Sequence, residues 1–254
     1  MDKDLERASS GSEEELRFLA HHTSSEILLA LLNNQNLTED IALIIANRKD
    51  INPGQLEVLF NDIRWQGSYK IKLALCKNPK TPQRISLTLI KSLRIFDVAD
   101  LTRNQFIPIS IKMKAEAAII ERIPTMPLGI KISLAKMVSG EVLIRLLEDG
   151  KKEVVAVCLN SPYMTEDVIF KIVNKVTISS LVIRQIANHP KWSCRYDLQC
   201  CLIRNNHAPL SRVVHFLKNI RTNNLKELYN DPEVPSSTKP FIYRELSERD
   251  ESSQ

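Results

Sequence analysis

Glycine is scarce in this chain, at six of 254 residues. Neither GxGxxG nor GxxxxGK[ST] occurs, which excludes the backbone cradles that hold dinucleotide or nucleotide phosphates. Aromatic residues make up only 6% of the chain, and two of them are tryptophan. Uninterrupted apolar stretches are short, Ile27–Leu32 and Val154–Leu159 among them, against the ~20 residues that span a bilayer. The opening "MDKDLERASSGSEEE" has neither the cationic nor the apolar region of a signal peptide. Five cysteines (Cys76, Cys158, Cys194, Cys200, Cys201) form no CxxC pair. Cys194 and Cys201 could share a helical face but would lie ~10 Å apart along it, too far for one metal. The five histidines, His21, His22, His189, His207 and His215, show no HxxxH or HExxH spacing, and GxSxG is missing. The expectation is a non-enzymatic protein with no metal and no cofactor, its thiols kept as small apolar fillers in a reducing, cytoplasmic setting and with no membrane partner.

What the chain has instead is unevenly placed charge. The formal charge is +5, yet both ends are acidic. Residues 1–14 carry Asp2, Asp4, Glu6, Glu13 and Glu14 against Lys3 and Arg7, and residues 245–254 carry Glu245, Glu248, Asp250 and Glu251 against Arg249. Between residues 171 and 226, ten Lys and Arg residues face Asp197 alone. Segment 44–99 is basic as well, but Asp50, Glu57, Asp62 and Asp97 dilute it. Blocks of this kind attract acidic protein segments or phosphate backbones.

The two tryptophans expose an internal symmetry. In "NDIRWQGSY" (Asn61–Tyr69) and "NHPKWSCRY" (Asn188–Tyr196), each Trp has Asn four residues before it and Tyr four after. With the chain shifted by 127, Glu26–Lys112 falls on Glu153–Lys239 without a gap, and twenty-one of the 87 aligned positions are identical. "LNNQNLTED" from Leu32 meets "LNSPYMTED" from Leu159, and Asn78 and Pro82 meet Asn205 and Pro209. Chance agreement for ordinary composition is roughly one in sixteen. The chain reads as a tandem duplication, with halves 16–142 and 143–246.

Each half reads as a string of short helices. Asparagines recur at 33, 47, 61 and 78, and again at 160, 174, 188 and 205, with apolar residues at helical spacing between them. Asn suits the left-handed residue that ends a helix. Thr38 and Thr165 fit helix N-caps followed by Glu-Asp, and in "NPKTP" Thr81 is expected to cap a helix that starts with Pro82. Helices of about ten residues are too short to persist alone in water, so they must stack. A helix over Cys194–Ile203 is apolar on most sides, which places it between neighbours. Leu210, Val213, Val214 and Leu217 form a single stripe that leaves Arg212, His215 and Lys218 outside.

This combination of short helices, N-P-x-T-P turns and stacking resembles HEAT-like repeat proteins, including the bacterial kind related to leucine-rich-variant repeats, over about residues 16–246. The resemblance implies an all-α fold, a right-handed α-solenoid of short antiparallel helix pairs (HEAT-like or ARM-like), over residues 15–246. Disordered acidic tails would flank it at 1–14 and 247–254. Leucine-rich-variant proteins also hold an iron–sulfur centre on N-terminal cysteines. No Cys precedes Cys76 here, so that cofactor is not carried over.

The expected function is a scaffold that binds a protein partner with an acidic segment, and sequence-independent nucleic-acid binding is the alternative. The expected contacts are Arg64, Trp65, Tyr69, Lys77, Lys91 and Arg94 in the first half, with Lys191, Trp192, Tyr196, Arg204, Lys218 and Arg221 in the second. Trp and Tyr in each half could lie on one helical face, either as a staple at the helix entry or as a partner anchor. HEAT-like DNA glycosylases offer a minor alternative, since Trp192, Tyr196 and Asp197 superficially match their aromatic and catalytic Asp groups. Stacking at 8–10 Å per helix would keep the two tryptophans on the order of 40 Å apart, unable to share a base pocket.

Overall fold

A computed structural model describes residues 2–138 and 140–251, and among these every regular element is helical. Met1 and residues 252–254 of the expected tails lie outside the described residues. The chain divides into two compact units, Met1–Glu121 and Arg122–Gln254, a boundary earlier than the expected 142/143 junction. The first unit contains α1 (Asp2–Ser10), α2 (Glu13–Leu19), α3 (Ser25–Asn33), α4 (Glu39–Ala46), α5 (Pro53–Asn61), α6 (Tyr69–Lys77), α7 (Gln83–Leu89), α8 (Ile95–Arg103) and α9 (Ile109–Arg122). The second contains α10 (Leu128–Ala135), α11 (Gly140–Glu148), α12 (Lys152–Leu159), α13 (Glu166–Val173), α14 (Ser180–Asn188), α15 (Tyr196–Arg204), α16 (Leu210–Leu217), α17 (Thr222–Asn230) and α18 (Lys239–Glu251). Among the described residues no helix is long and apolar enough to cross a membrane.

Within each unit several helices pack on their successor and on the next helix but one, as α4 does on α5 and α6, and α11 on α12 and α13. Apolar residues at helical spacing supply the contact. Ile41, Ala42, Ile45 and Ala46 of α4 are buried, as are Val168, Ile169, Ile172 and Val173 of α13. Each large aliphatic side chain removed from water contributes about 1.5–3 kcal/mol, which is what short helices lack in isolation. Helix α15 touches α13, α14 and α16 and buries Leu198, Gln199, Leu202 and Ile203, in line with a position between neighbours. Helix α16 buries Val213, Phe216 and Leu217 and exposes His215 and Lys218, but Leu210 is exposed too.

Several expectations need correction. Residues 2–10 are helical rather than a disordered tail: Ala8 is fully buried, and its carbonyl accepts from Asn34 Nδ2 at 2.9 Å. Helix α18 likewise runs into the expected C-terminal tail, because the Arg249 guanidinium donates to the carbonyls of Leu217, Lys218 and Ile220. No non-glycine residue has a positive φ among the described residues, so the recurrent asparagines do not end helices in the left-handed region. They act through their side chains. Asn78 Nδ2 donates to the Ala46 and Arg48 carbonyls, and Asn205 Nδ2 donates to that of Val173, all at 2.7 Å. Asn47 and Asn160 bond back to the carbonyls four residues earlier. Thr38 and Thr165 do stand at N-caps, though only Thr165 accepts from the helix, through Val168 N–H. In "NPKTP" the cap position falls on Pro82 instead of Thr81. The thiols are not uniformly fillers: Cys76 and Cys158 are buried, Cys200 and Cys201 half-buried, and Cys194 exposed.

One ion pair is set inside the second unit. Lys131 of α10 is 4% exposed and reaches both carboxylate oxygens of Asp149, beyond α11, at 2.9 Å. Removing one partner strands a buried charge, whereas replacing both leaves none. Lys131→Met alone should therefore lose about 3–5 kcal/mol in urea unfolding, and the double variant Lys131→Met/Asp149→Leu should recover most of that loss.

Candidate functional site

The expected contact residues are positioned mostly by loops. The loop between α5 and α6 carries Arg64 and Trp65 in a single 3-10 turn, Ile63–Trp65, and α6 begins at Tyr69. In the second unit Lys191 and Trp192 lie in the turn between α14 and α15, and α15 begins at Tyr196. The tryptophans therefore precede the helices, and Trp and Tyr do not share one helical face.

Tyrosine ties each of these loops to a second one. Tyr69 Oη accepts from the backbone N–H of Arg94 at 3.0 Å and donates to the Asp97 carboxylate. Tyr196 Oη accepts from Arg221 N–H at 3.2 Å. The same arginines turn back over the rings, with Arg94 4.7 Å from the Tyr69 centroid and Arg221 5.7 Å from that of Tyr196. Arg64 and Lys191 likewise sit 5.2 and 4.2 Å over Trp65 and Trp192. Loop pair 62–68 and 90–94 thus forms one rim in the first unit, and pair 189–195 and 218–221 forms another in the second. Burial raises the Tyr69 phenol above its ordinary pKa, and the Asp97 bond adds to the effect.

The two rims differ in their free charge. In the first, the Arg64 guanidinium is held by Asp62 at 2.6 Å and by the carbonyls of Leu32 and Asn34 at 2.9 and 2.7 Å. The Arg64 bond keeps the Asp62 carboxyl below its usual range. Arg64 is thus a cap on α3 more than a partner contact. In the second, Lys191, Arg195, Lys218 and Arg221 are exposed and make no ion pair among the described residues. The position matching Asp97 is Asn224, so Arg221 has no carboxylate beneath it.

Lys77 and Arg204 do not join the rims. They end the nine-residue helices that Tyr69 and Tyr196 begin, ~12 Å away along the axis. Lys77 pairs with Asp100 at 3.8 Å and Arg204 with Asp231 at 2.7 Å. Trp192 also fails as a surface anchor: it is 2% exposed, and its indole N–H donates to Leu159 O at 2.9 Å. Its indole N–H instead caps the C-terminal end of α12. That removes it equally as a platform for a flipped base, and Asp197 remains an exposed residue in the first turn of α15.

Comparison with protein-family models, curated proteins and solved structures finds no match. The site must be read from its own geometry.

Sequence reasoning missed Arg195, which stands beside Tyr196 and belongs to the second rim. The copy-to-copy match hid it, because its counterpart is Ser68. It also missed His189, whose ring lies 6.3 Å from that of Trp192. Burial, and secondarily the Lys191 charge, lower the His189 pKa from 6.5. The folded chain then binds fewer protons than the unfolded chain below about pH 6.5, so stability should fall on acidification through that range. His189→Gln should flatten this part of the pH–stability curve while leaving the acid limb of the carboxylates in place, as read from urea midpoints between pH 5 and 8.

Proposed function

We propose that this chain is a non-enzymatic α-solenoid scaffold, built by tandem duplication with an offset of 127, that binds an acidic segment of another protein along its loop rims. Matching helix bounds support the duplication. Helices α4, α5, α6 and α8 recur as α13, α14, α15 and α17 with both ends displaced by that same offset. The Asn78/Asn205 and Tyr69/Tyr196 bonds recur with it. Packing of a helix on the next but one, as α4 on α6 and α13 on α15, is the contact a stacked solenoid uses.

The observation that carries the binding reading is Arg221. Its backbone is bonded to Tyr196, its guanidinium lies over that ring, and no carboxylate neutralises it. A cation held over an aromatic face loses less side-chain freedom on meeting a partner carboxylate, and the ring adds its own attraction. Lys191, Arg195 and Lys218 surround it on the same two loops. A discrete acidic segment suits this arrangement better than a continuous phosphate backbone. The first rim places Asp62 and Asp97 beside its cations, so the positive surface is interrupted there and gives no continuous track for a long phosphate backbone.

A dodecapeptide of Asp and Glu should bind in fluorescence anisotropy, and Lys191→Glu/Lys218→Glu/Arg221→Glu should weaken it at least about ten-fold, since each exposed pair is worth up to about 1 kcal/mol. Unchanged affinity would mean the cations only solubilise the protein. A mixed-sequence single-stranded 20-mer that bound more tightly, with a steep log–log salt slope, would replace the protein-partner reading by the nucleic-acid one.

A further inference from the structure

The two tryptophans occupy different states. In the second unit Trp192 is buried with its indole N–H on Leu159 O, and Phe216 is fully buried. In the first unit the matching carbonyl, that of Leu32, is taken by the Arg64 guanidinium. Trp65 stays half-buried, and its buried indole nitrogen makes no hydrogen bond of good geometry. Leu89 stands where the second unit has Phe216, a smaller side chain in the same place. A pocket of about 200 Å³ results, lined by Leu59, Trp65, Ile71, Leu75 and Leu89, with Lys72 as its one charged residue. It opens beside exposed Asn61 and Gln66, on the loop that forms the first rim.

We propose that this pocket is the anchor socket for the acidic partner segment, receiving one large apolar side chain, Phe or Leu, while Lys72 at its edge meets a carboxylate that flanks it. The inference rests on the scaffold reading above. Charge complementarity selects the occupant. An apolar side chain fits the walls, and half-buried Lys72, which makes no ion pair among the described residues, favours carboxylates next to that side chain rather than lysines or arginines. Burying one such side chain in a preformed apolar site accounts for roughly ten- to hundred-fold in affinity. A pocketed aromatic or aliphatic anchor within a charged rim is the usual layout of an interaction hot spot.

The test uses two labelled dodecapeptides of Asp and Glu, one with a central Phe and one with Ala there, titrated against the full chain. The Phe peptide should bind at least ten-fold more tightly. Leu89→Phe, which copies the second unit, should erase that preference while leaving the affinity for the Ala peptide unchanged, and a thermal melt should show that the variant is folded. Lys72→Glu, on the surface of the socket, should weaken the Phe peptide more than the Ala peptide. Equal affinity of the two peptides for the unaltered chain would overturn the socket and leave the scaffold reading standing. Binding of neither peptide would overturn both.

Discussion

Every short helix leaves carbonyls without partners at its C-terminal end, and the packing of this protein depends on how those groups are satisfied. The donors come from about thirty residues further along the chain. Asn34 caps the carbonyl of Ala8, Arg48 those of Ala20 and His22, Arg64 those of Leu32 and Asn34, and Asn78 those of Ala46 and Arg48. In the second unit Trp192 caps Leu159, Asn205 caps Val173, Arg212 caps Ala187 and Arg249 caps Leu217. Each bond joins a helix to the next but one, the same neighbour on which its apolar stripe packs. Hydrophobic burial supplies most of the free energy, and these directional bonds fix the register in which it is gained.

That requirement explains what becomes of the charge. A guanidinium carries five donors in a fixed fork, so one arginine can bridge two terminal carbonyls and a carboxylate together. Arg48 does so with Ala20, His22 and Asp50, and Arg64 with Leu32, Asn34 and Asp62. Arg48, Arg64, Arg212 and Arg249 are therefore committed to holding helix ends. What remains available is concentrated on the second rim, where Lys191 stands in place of Arg64 and Asn224 in place of Asp97. The Leu159 carbonyl accepts from Trp192, whereas that of Leu32 accepts from the Arg64 guanidinium.

The all-helical fold was legible because its signals are local. Apolar residues at helical spacing, Thr-Glu-Asp starts and Pro-bounded turns all act within one helix, and Glu39–Ala46 and Glu166–Val173 begin directly after Thr38 and Thr165. The role of asparagine was misread for the opposite reason. A residue at the end of a run can cap its own helix or one some thirty positions away, and only the packed structure chooses between them. The expected site was legible in part. Tyr69, Arg94, Tyr196 and Arg221 come together because Tyr and Arg recur together, but spacing could not separate them from Lys77 and Arg204 at the far ends of the same helices. The helical tail at 2–10 escaped because its composition is polar, and its stability comes from burying Ala8 against α3.

Burial alone would have ranked Trp192 above Trp65 as the more important ring, and for stability that ranking holds. For recognition it reverses. A tryptophan that is 2% exposed with its N–H bonded has no unfilled interaction to offer, whereas one that is half-buried beside a cavity and lacks a good hydrogen bond retains some of its binding energy unspent. The same argument separates the two arginines over tyrosine: Arg94 shares its ring with Asp97, while Arg221 faces solvent with its charge uncompensated. The first unit thus has an apolar recess beside its tryptophan, and the second has exposed cations that make no ion pair among the described residues.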